Sequence, residues 1–341
     1  MTAILSLQQL SRDLRFAWGA VRHRPFNVLL QVTNRCNMRC AFCDFWPNGV
    51  SPNEELTLDD YRRLEEELTR LGTFLISIEG GEPMLRPDIV EIVRVFSRRH
   101  MPMLYTNGWF IDEDNAKALF DAGVINVGVS IDYAHADRHD KQRDLPGTWG
   151  RAWHAVDLLR KHAPNGGRQV HVMTVLMRDT LDELDKLLPM SAAHDVGHCI
   201  TLLAKNGYRR GVQGGEWPIG NISDRLVELW RRYPHFRIFR EYLENMDPFL
   251  NGESLARCRA GWQSFNIDHV GTVSPCIEKI DQTVGNVRRE PLALLHRRLK
   301  ELDAGRDCQQ CWTACRGMSQ LFGQGGTWQA WRDMATRIKS T

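Results

Sequence analysis

Three cysteines fall within eight residues of one another, as Cys36-x3-Cys40-x2-Cys43. Thiolates are soft ligands, and three at this spacing can wrap one face of an iron–sulfur cubane while its fourth iron keeps no protein ligand. An open iron of that kind is where a small molecule chelates. A structural zinc site is the alternative, but it wants a fourth Cys or His close by, and none follows within the next fifty residues.

Five more cysteines gather further on. Cys258, Gly271 and Cys276 make the pattern C-x12-G-x4-C, and Cys308-x2-Cys311-x3-Cys315 comes after it. A hairpin of 265–268 with 273–276, turning at Gly271, would bring Cys258 and Cys276 together. Five thiolates are one more than a four-ligand cluster needs, and a closed four-thiolate zinc site is the alternative. The ninth cysteine, Cys199, sits in an apolar strand pattern and reads as an inert buried thiol. Candidate catalytic groups are Glu278, two residues past Cys276, with Asp44 beside Cys43 and Tyr105 at a strand end. A packing or hydrogen-bonding role is the plainer reading of each. The twelve histidines show no metal-ligand spacing.

The run Cys36-Asn-Met-Arg-Cys40-Ala-Phe-Cys43 resembles the signature of the radical S-adenosylmethionine (SAM) superfamily, including the aromatic Phe42 before the third cysteine. Companions come in the family's order. Gly80-Gly81-Glu82-Pro83 resembles its GGEP motif, which contacts the SAM amino group; the glycines would let backbone approach a ligand, and Glu82 offers a carboxylate to an ammonium. Thr106-Asn107-Gly108 is similar to its TNG segment. Ser130 and Asp132 end the fourth strand, and Arg143 lies thirteen residues beyond Ser130. By resemblance these residues help hold the SAM ribose and carboxylate. The resemblance implies reductive cleavage of SAM at a [4Fe–4S] cluster, giving a 5′-deoxyadenosyl radical that abstracts hydrogen from substrate.

The second cysteine set resembles the SPASM and twitch extensions of that superfamily. A full SPASM domain shows C-x2-C-x5-C-x3-C; here the middle spacing is three, and Ser319 stands where a further cysteine would fall. One auxiliary [4Fe–4S] cluster is therefore expected. Cys258 and Cys276 should ligate it, with two of Cys308, Cys311 and Cys315, preferentially the first two. An auxiliary cluster can accept an electron from a substrate radical, so oxidative modification (dehydrogenation or bond formation) is the leading expectation. A redox-neutral epimerase or isomerase, quenched by Cys199 or a spare C-terminal thiol, is the alternative. So is a peptide-maturation enzyme acting with a partner, and a non-catalytic iron–sulfur or zinc protein is a third class. A flavodoxin- or ferredoxin-type electron donor is implied.

The elements that must position these groups follow from pattern. β-Branched runs begin at Asn27, Phe74, Pro102, Ile125, His171 and Cys199, with helical stripes between them. Thr57 and Asp60 make a capping signal, and Gly123 closes a helix opened at Asp112. Six such units predict an α/β fold: a partial (β/α)6 TIM-like barrel with a small cysteine-rich α+β domain at its C-terminus. The expected division is a cap helix over 1–25, a core over 26–215, a helical linker over 216–257 and an auxiliary-cluster domain over 258–341.

Composition narrows the partners. Lys and Arg number 44 against 42 Asp and Glu, leaving no electrostatic case for nucleic acid. The sequence has no span of about 20 apolar residues and no signal-peptide core, so a cytoplasmic location is expected. Leu7, Leu10, Leu14 and Val21 make an amphipathic stripe. A packed cap helix is the expectation there, with a membrane-surface helix as the alternative. About 25 residues precede the first strand, which leans towards a small-molecule substrate, or a peptide presented by a separate partner. The eleven tryptophans read as core or pocket-lining residues.

Overall fold

The computed structural model describes residues 7–22, 24–164, 166–205, 207 and 215–323. After α1 (Leu7–Val21), the units alternate: β1 (Asn27–Thr33), α2 (Leu58–Leu71), β2 (Leu75–Gly80), α3 (Ile89–Ser97), β3 (Met101–Thr106), α4 (Glu113–Asp121) and β4 (Asn126–Ser130). Then come α5 (Ala136–Arg143), α6 (Thr148–His162), β5 (Val170–Leu176), α7 (Leu184–Ala193) and β6 (Gly197–Leu202). Beyond them lie α8 (Ser223–Arg232), α9 (Arg240–Glu244), α10 (Met246–Leu250), β7 (Ser264–Ile267), β8 (Thr272–Ser274), β9 (Gly285–Asn286), α11 (Leu292–Leu302) and α12 (Ala314–Gly323).

Local chemistry sets several of these boundaries. Thr57 and Asp60 satisfy each other's backbone N–H groups at the start of α2, the capping box read from the sequence. Asp112 and Asn115 do the same for α4. Helix α5 escapes pattern reading because it is polar almost throughout and buries only His139 and Arg143.

All six core strands are parallel, and β7 joins the far side of β1 in the order β6-β5-β4-β3-β2-β1-β7-β8-β9. If flat, six strands would hold β1 and β6 about 24 Å apart. Yet two adjacent residues touch both. The Ala314 N–H donates to Thr201 Oγ1 on β6 at 3.2 Å, and Asn27 Nδ2 on β1 points at Cys315 Sγ at 3.6 Å. The sheet is therefore curled, and the start of α12 lies across its gap.

Alternation along the strands divides two faces. Val28, Leu30, Ile76, Ile78, Leu104, Val127, Val129, Val170 and Val172 pack outwards against the helices in one core. The alternate positions face inwards and are more polar, among them Asn27, Gln31, Ser77, Glu79, Tyr105, Ser130 and His171. Gln31 Nε2 donates to Asn266 Oδ1 at 2.8 Å, and Asn266 Nδ2 to Ser274 Oγ at 3.1 Å. The predicted hairpin is β7–β8, and its pairing with β1 makes the C-terminal strands part of the same sheet.

Helix α1 packs on the protein through Phe16. Phe16 meets Phe26 edge to face at 6.4 Å, with Met318 beside them. Leu14, two residues away and therefore about 200° round the helix, points outwards. It is 62% exposed, and Trp18 is 58% exposed. The side chains of Leu7, Leu10 and Val21 lie outside the described residues, as does everything after residue 323. No helix among the described residues is long and apolar enough to cross a membrane.

Candidate functional site

The Cys36–Cys43 loop follows β1, at the C-terminal ends of the parallel strands where such folds gather their reactive groups. It is held from two sides. Arg39 and Ala41 donate backbone bonds to the carbonyls of Arg143 and Gln142 at the end of α5, at 3.1 and 3.3 Å. On the other side, Gly81 N–H donates to Thr33 O at 2.7 Å and Glu82 N–H to Arg35 O at 2.9 Å. The two glycines also permit a close approach within the protein. A Cβ at Gly80 would strike the Thr33 carbonyl, and one at Gly81 the carbonyls of Arg35 and Asn34. The neighbour they admit is the chain entering the cysteine loop.

Glu82 is fully buried. Its carboxylate accepts from Thr106 Oγ1 at 2.7 Å, Asn107 N–H at 2.7 Å and Met84 N–H at 3.0 Å. Burial raises its pKa above the usual glutamate range, and the three donors pull it back down. No cationic side chain bonds to it among the described residues. Asn107 also reaches into the cysteine loop, donating from Nδ2 to Asn37 Oδ1 at 2.8 Å. Glu82 and Asn107 thus meet the loop directly, and Thr106 is joined to it through Glu82.

Arg143 is buried and ion-paired with Asp132. Its Nη1 lies 3.8 Å from Cys40 Sγ, and its guanidinium stacks 5.7 Å from the Phe42 ring centre. Asp132 also accepts from Val175 N–H at 2.8 Å, which ties the end of β4 to β5. Ser130 closes β4 on the inner face, and Pro83 opens the short turn Pro83–Leu85. Asp44 is less engaged: its carbonyl accepts from Asn48 Nδ2 at 2.7 Å. Tyr105 lies inside the barrel, edge to face with His171 at 5.9 Å.

Cys36, Cys40 and Cys43 share one apolar cluster with Met38, Phe42, Trp109, Met177, Leu203 and Trp217. Met177, Leu203 and the two tryptophans carry no motif; Trp109, Met177 and Leu203 could have drawn attention only by following strand ends, and Trp217 had no such signal. Burial pushes the Cys36 thiol up to about 12, with the Glu82 carboxylate adding to the rise. Asn34, fully buried, has no partner for either side-chain amide atom among the described residues, and neither do Asn37 Nδ2 and Arg143 Nε. Orphaned donors and acceptors around a buried carboxylate suit a ligand that brings both an ammonium and a carboxylate. The three thiols beside them suit a cubane with one open iron.

The second cysteine set forms a separate group. Burial raises the thiol pKa of Cys276, and the nearby Cys311, Glu278 and Cys258 raise it further. Cys311 is affected by Glu278, Cys258 and Cys308 in the same way. Contacts to the backbone join the same residues: Gly305 lies against the Cys258 carbonyl and accepts from Cys308 N–H at 3.4 Å, and Lys279 ties the Cys276 turn to Ala304 O at 2.9 Å. Arg316 donates to the Cys311 and Ala256 carbonyls at 2.7 and 3.2 Å, so Cys258, Cys276, Cys308 and Cys311 form one group with buried Glu278. Cys315 keeps different company. It packs with Leu29, Phe45, Ile277 and Cys43, between the two sets. Cys199 directs its thiol at the Arg237 carbonyl, 3.0 Å away. Among the described residues no three His, Cys, Asp or Glu side chains converge tightly enough to hold one metal ion. The ligands of a cubane bind separate irons and stand farther apart.

Comparison with known proteins agrees with this division. The radical SAM superfamily model matches residues 30–189, and that of the SPASM iron–sulfur cluster-binding domain matches 258–315. The chain is 27% identical over 293 residues to an AdoMet-dependent heme synthase of Methanosarcina barkeri, covering 80% of this chain and 82% of that one. It is 28% identical over 311 residues to the mycofactocin maturase MftC of Mycobacterium tuberculosis, covering 86% and 78%. A PqqA peptide cyclase of Bradyrhizobium diazoefficiens is 26% identical over 274 residues, covering 74% and 66%. In fold it is similar to anSMEcpe, solved with AdoMet and a peptide, at a TM-score of 0.62 and 16% identity, covering 93% of this chain and 100% of that one. The chain belongs to the radical SAM superfamily and carries a C-terminal SPASM domain, with [4Fe–4S] clusters and S-adenosylmethionine as its cofactors.

Proposed function

We propose that this enzyme carries out an oxidative modification, dehydrogenation or bond formation, on a substrate held against the inner face of the barrel, and that the substrate is a peptide. When bound, the SAM cluster and SAM supply a hydrogen-abstracting radical, and an auxiliary cluster supplies a place for the leftover electron. The observation that carries the reading is the grouping of Cys258, Cys276, Cys308 and Cys311, apart from Cys36, Cys40 and Cys43. The first group would hold the auxiliary cluster and the second the SAM cluster. Glu82 and the amide of Asn34 would orient the SAM amino-acid end. Arg143, fixed by Asp132, would place positive charge beside Cys40. Trp109, Met177, Leu203 and Trp217 would keep water from the reacting atoms. The relative named as a peptide cyclase supports the peptide reading, with a flavodoxin- or ferredoxin-type protein as electron donor.

The test is anaerobic reconstitution followed by iron and sulfide analysis. About eight irons per chain, falling to about four when Cys36, Cys40 and Cys43 become Ala, are expected of two cubanes. Four falling to none would remove the electron acceptor and with it the oxidative reading. A redox-neutral outcome is the second reading, and Cys315 is what favours it, because a thiol between the two cysteine sets could return a hydrogen atom to substrate. Product formed in deuterated water separates the two, since only the thiol-quenched product acquires deuterium from solvent.

A further inference from the structure

Helix α1 is amphipathic, and Leu14, the one member of its predicted apolar stripe whose side chain is described, faces away from the protein. Phe16 anchors the opposite side on Phe26. Leu14 and Trp18, one turn apart, are the two most exposed large apolar side chains of this helix, at 62% and 58%. Exposed arginines border them: Arg15 lies beside Leu14, and the Arg22 guanidinium stacks over the Trp18 ring at 4.5 Å. Residues 7–24 hold Arg12, Arg15, Arg22 and Arg24 against Asp13 alone, whereas the whole chain carries only +2. A leucine and a tryptophan rimmed by arginines are the features of a helix that lies in a membrane interface, with its rings at headgroup depth and its cations on phosphate.

We propose that α1 docks this enzyme on the surface of an anionic lipid bilayer, through Leu14 and Trp18 with Arg15 and Arg22. Charge decides against the other occupants. A second copy would bring the same arginines face to face, and like charges at short range repel. Residues 324–341 carry Arg332, Arg337 and Lys339 against Asp333, so they too are cationic. An anionic bilayer supplies both the apolar depth and the opposite charge.

Sedimentation of the full-length, cluster-loaded protein with lipid vesicles tests this. One preparation is phosphatidylcholine alone and the other an equal mixture with phosphatidylglycerol. Binding to the anionic vesicles at low salt is expected to be at least about tenfold tighter than to the neutral ones, and to weaken as salt rises. The pair Leu14→Gln with Trp18→Gln, and separately Arg15→Glu with Arg22→Glu, should each lower it by a similar factor. These side chains are exposed, so iron content and the thermal transition should not change in either variant. Failure of the wild type to sediment with anionic vesicles overturns the proposal, as does equal binding by both variants. A wild-type dimer that Leu14→Gln with Trp18→Gln makes monomeric would assign the stripe to a second copy instead.

Discussion

Cys315 is a cysteine like its neighbours in sequence and unlike them in place. Cys308 and Cys311 stand with Cys258 and Cys276, whereas Cys315 reaches past them to Asn27 and Leu29 on β1. Alanine at Cys258, Cys276, Cys308 or Cys311 should each cost the reconstituted enzyme about four of about eight irons. Cys315→Ala should leave the count unchanged; a loss of four irons there would transfer the ligand role to it. Glu82 offers a second test. Glu82→Gln keeps the shape but removes the charge that an ammonium would meet, and it turns an N–H group towards the Asn107 N–H that the carboxylate now accepts. Binding of SAM, followed by calorimetry, should weaken by at least about tenfold, the scale of a lost charge-assisted bond. An unchanged dissociation constant would remove Glu82 from the site.

Among the elements, strands were more legible than their partners. Six runs of β-branched residues located six strands, because alternation and length are local properties. Spacing likewise marked the Cys36 loop and the Gly80–Pro83 turn. It could not say that β7 would pair with β1, since a hairpin's edge choice depends on residues more than two hundred positions away. Nor could it find α5, which places Arg143 and holds the cysteine loop through the Gln142 and Arg143 carbonyls but whose sequence has no apolar period. Helix α1 is a different case: its stripe was visible, but amphipathicity did not say that Phe16 would be the side chain packed on Phe26 while Leu14 faced outwards. Packing inside the barrel was equally hidden. Gly128 on β4 makes room for two side chains, because a Cβ there would lie 2.7 Å from His171 Nε2 and 2.8 Å from Tyr105 Cδ1. Gly128→Ala should destabilise the protein by about 1–3 kcal/mol in chemical denaturation, the usual cost of overpacking. Gly150 in α6 meets nothing within 4 Å, so Gly150→Ala should instead stabilise, by up to about 1 kcal/mol. Equal effects at the two sites would mean that the barrel interior gives way more easily than its packing implies.

Five of the twelve histidines are core residues that burial holds neutral. Burial lowers His171 and His198 to about 3, and His100, His139 and His296 to about 4. Each lies below its value of about 6.5 in the unfolded chain. The unfolded state therefore binds more protons as acid is added, and the stability these groups contribute, complete above about pH 6.5, drains away as pH falls towards 4 and 3. Each histidine accounts for up to about 1.4 kcal/mol per pH unit between its folded and unfolded values. The melting temperature should fall steeply between pH 6.5 and 4.5; a level profile over that range would contradict the burial.

The tie between Ala314 and Thr201, and between Cys315 and Asn27, also has a place in time. A chain leaves the ribosome from its N-terminus, so all six core strands emerge before the residues that bridge the first and the last of them. Strand β7 comes late as well: the Gln31–Asn266 bond joins residues 235 positions apart. Until then β1 lacks one neighbour and the barrel has no clasp. The Cys36–Cys43 loop, which follows β1, is therefore synthesised well before the residues that close the sheet beside it, and the last part of the described chain to be made is the part that shuts the door.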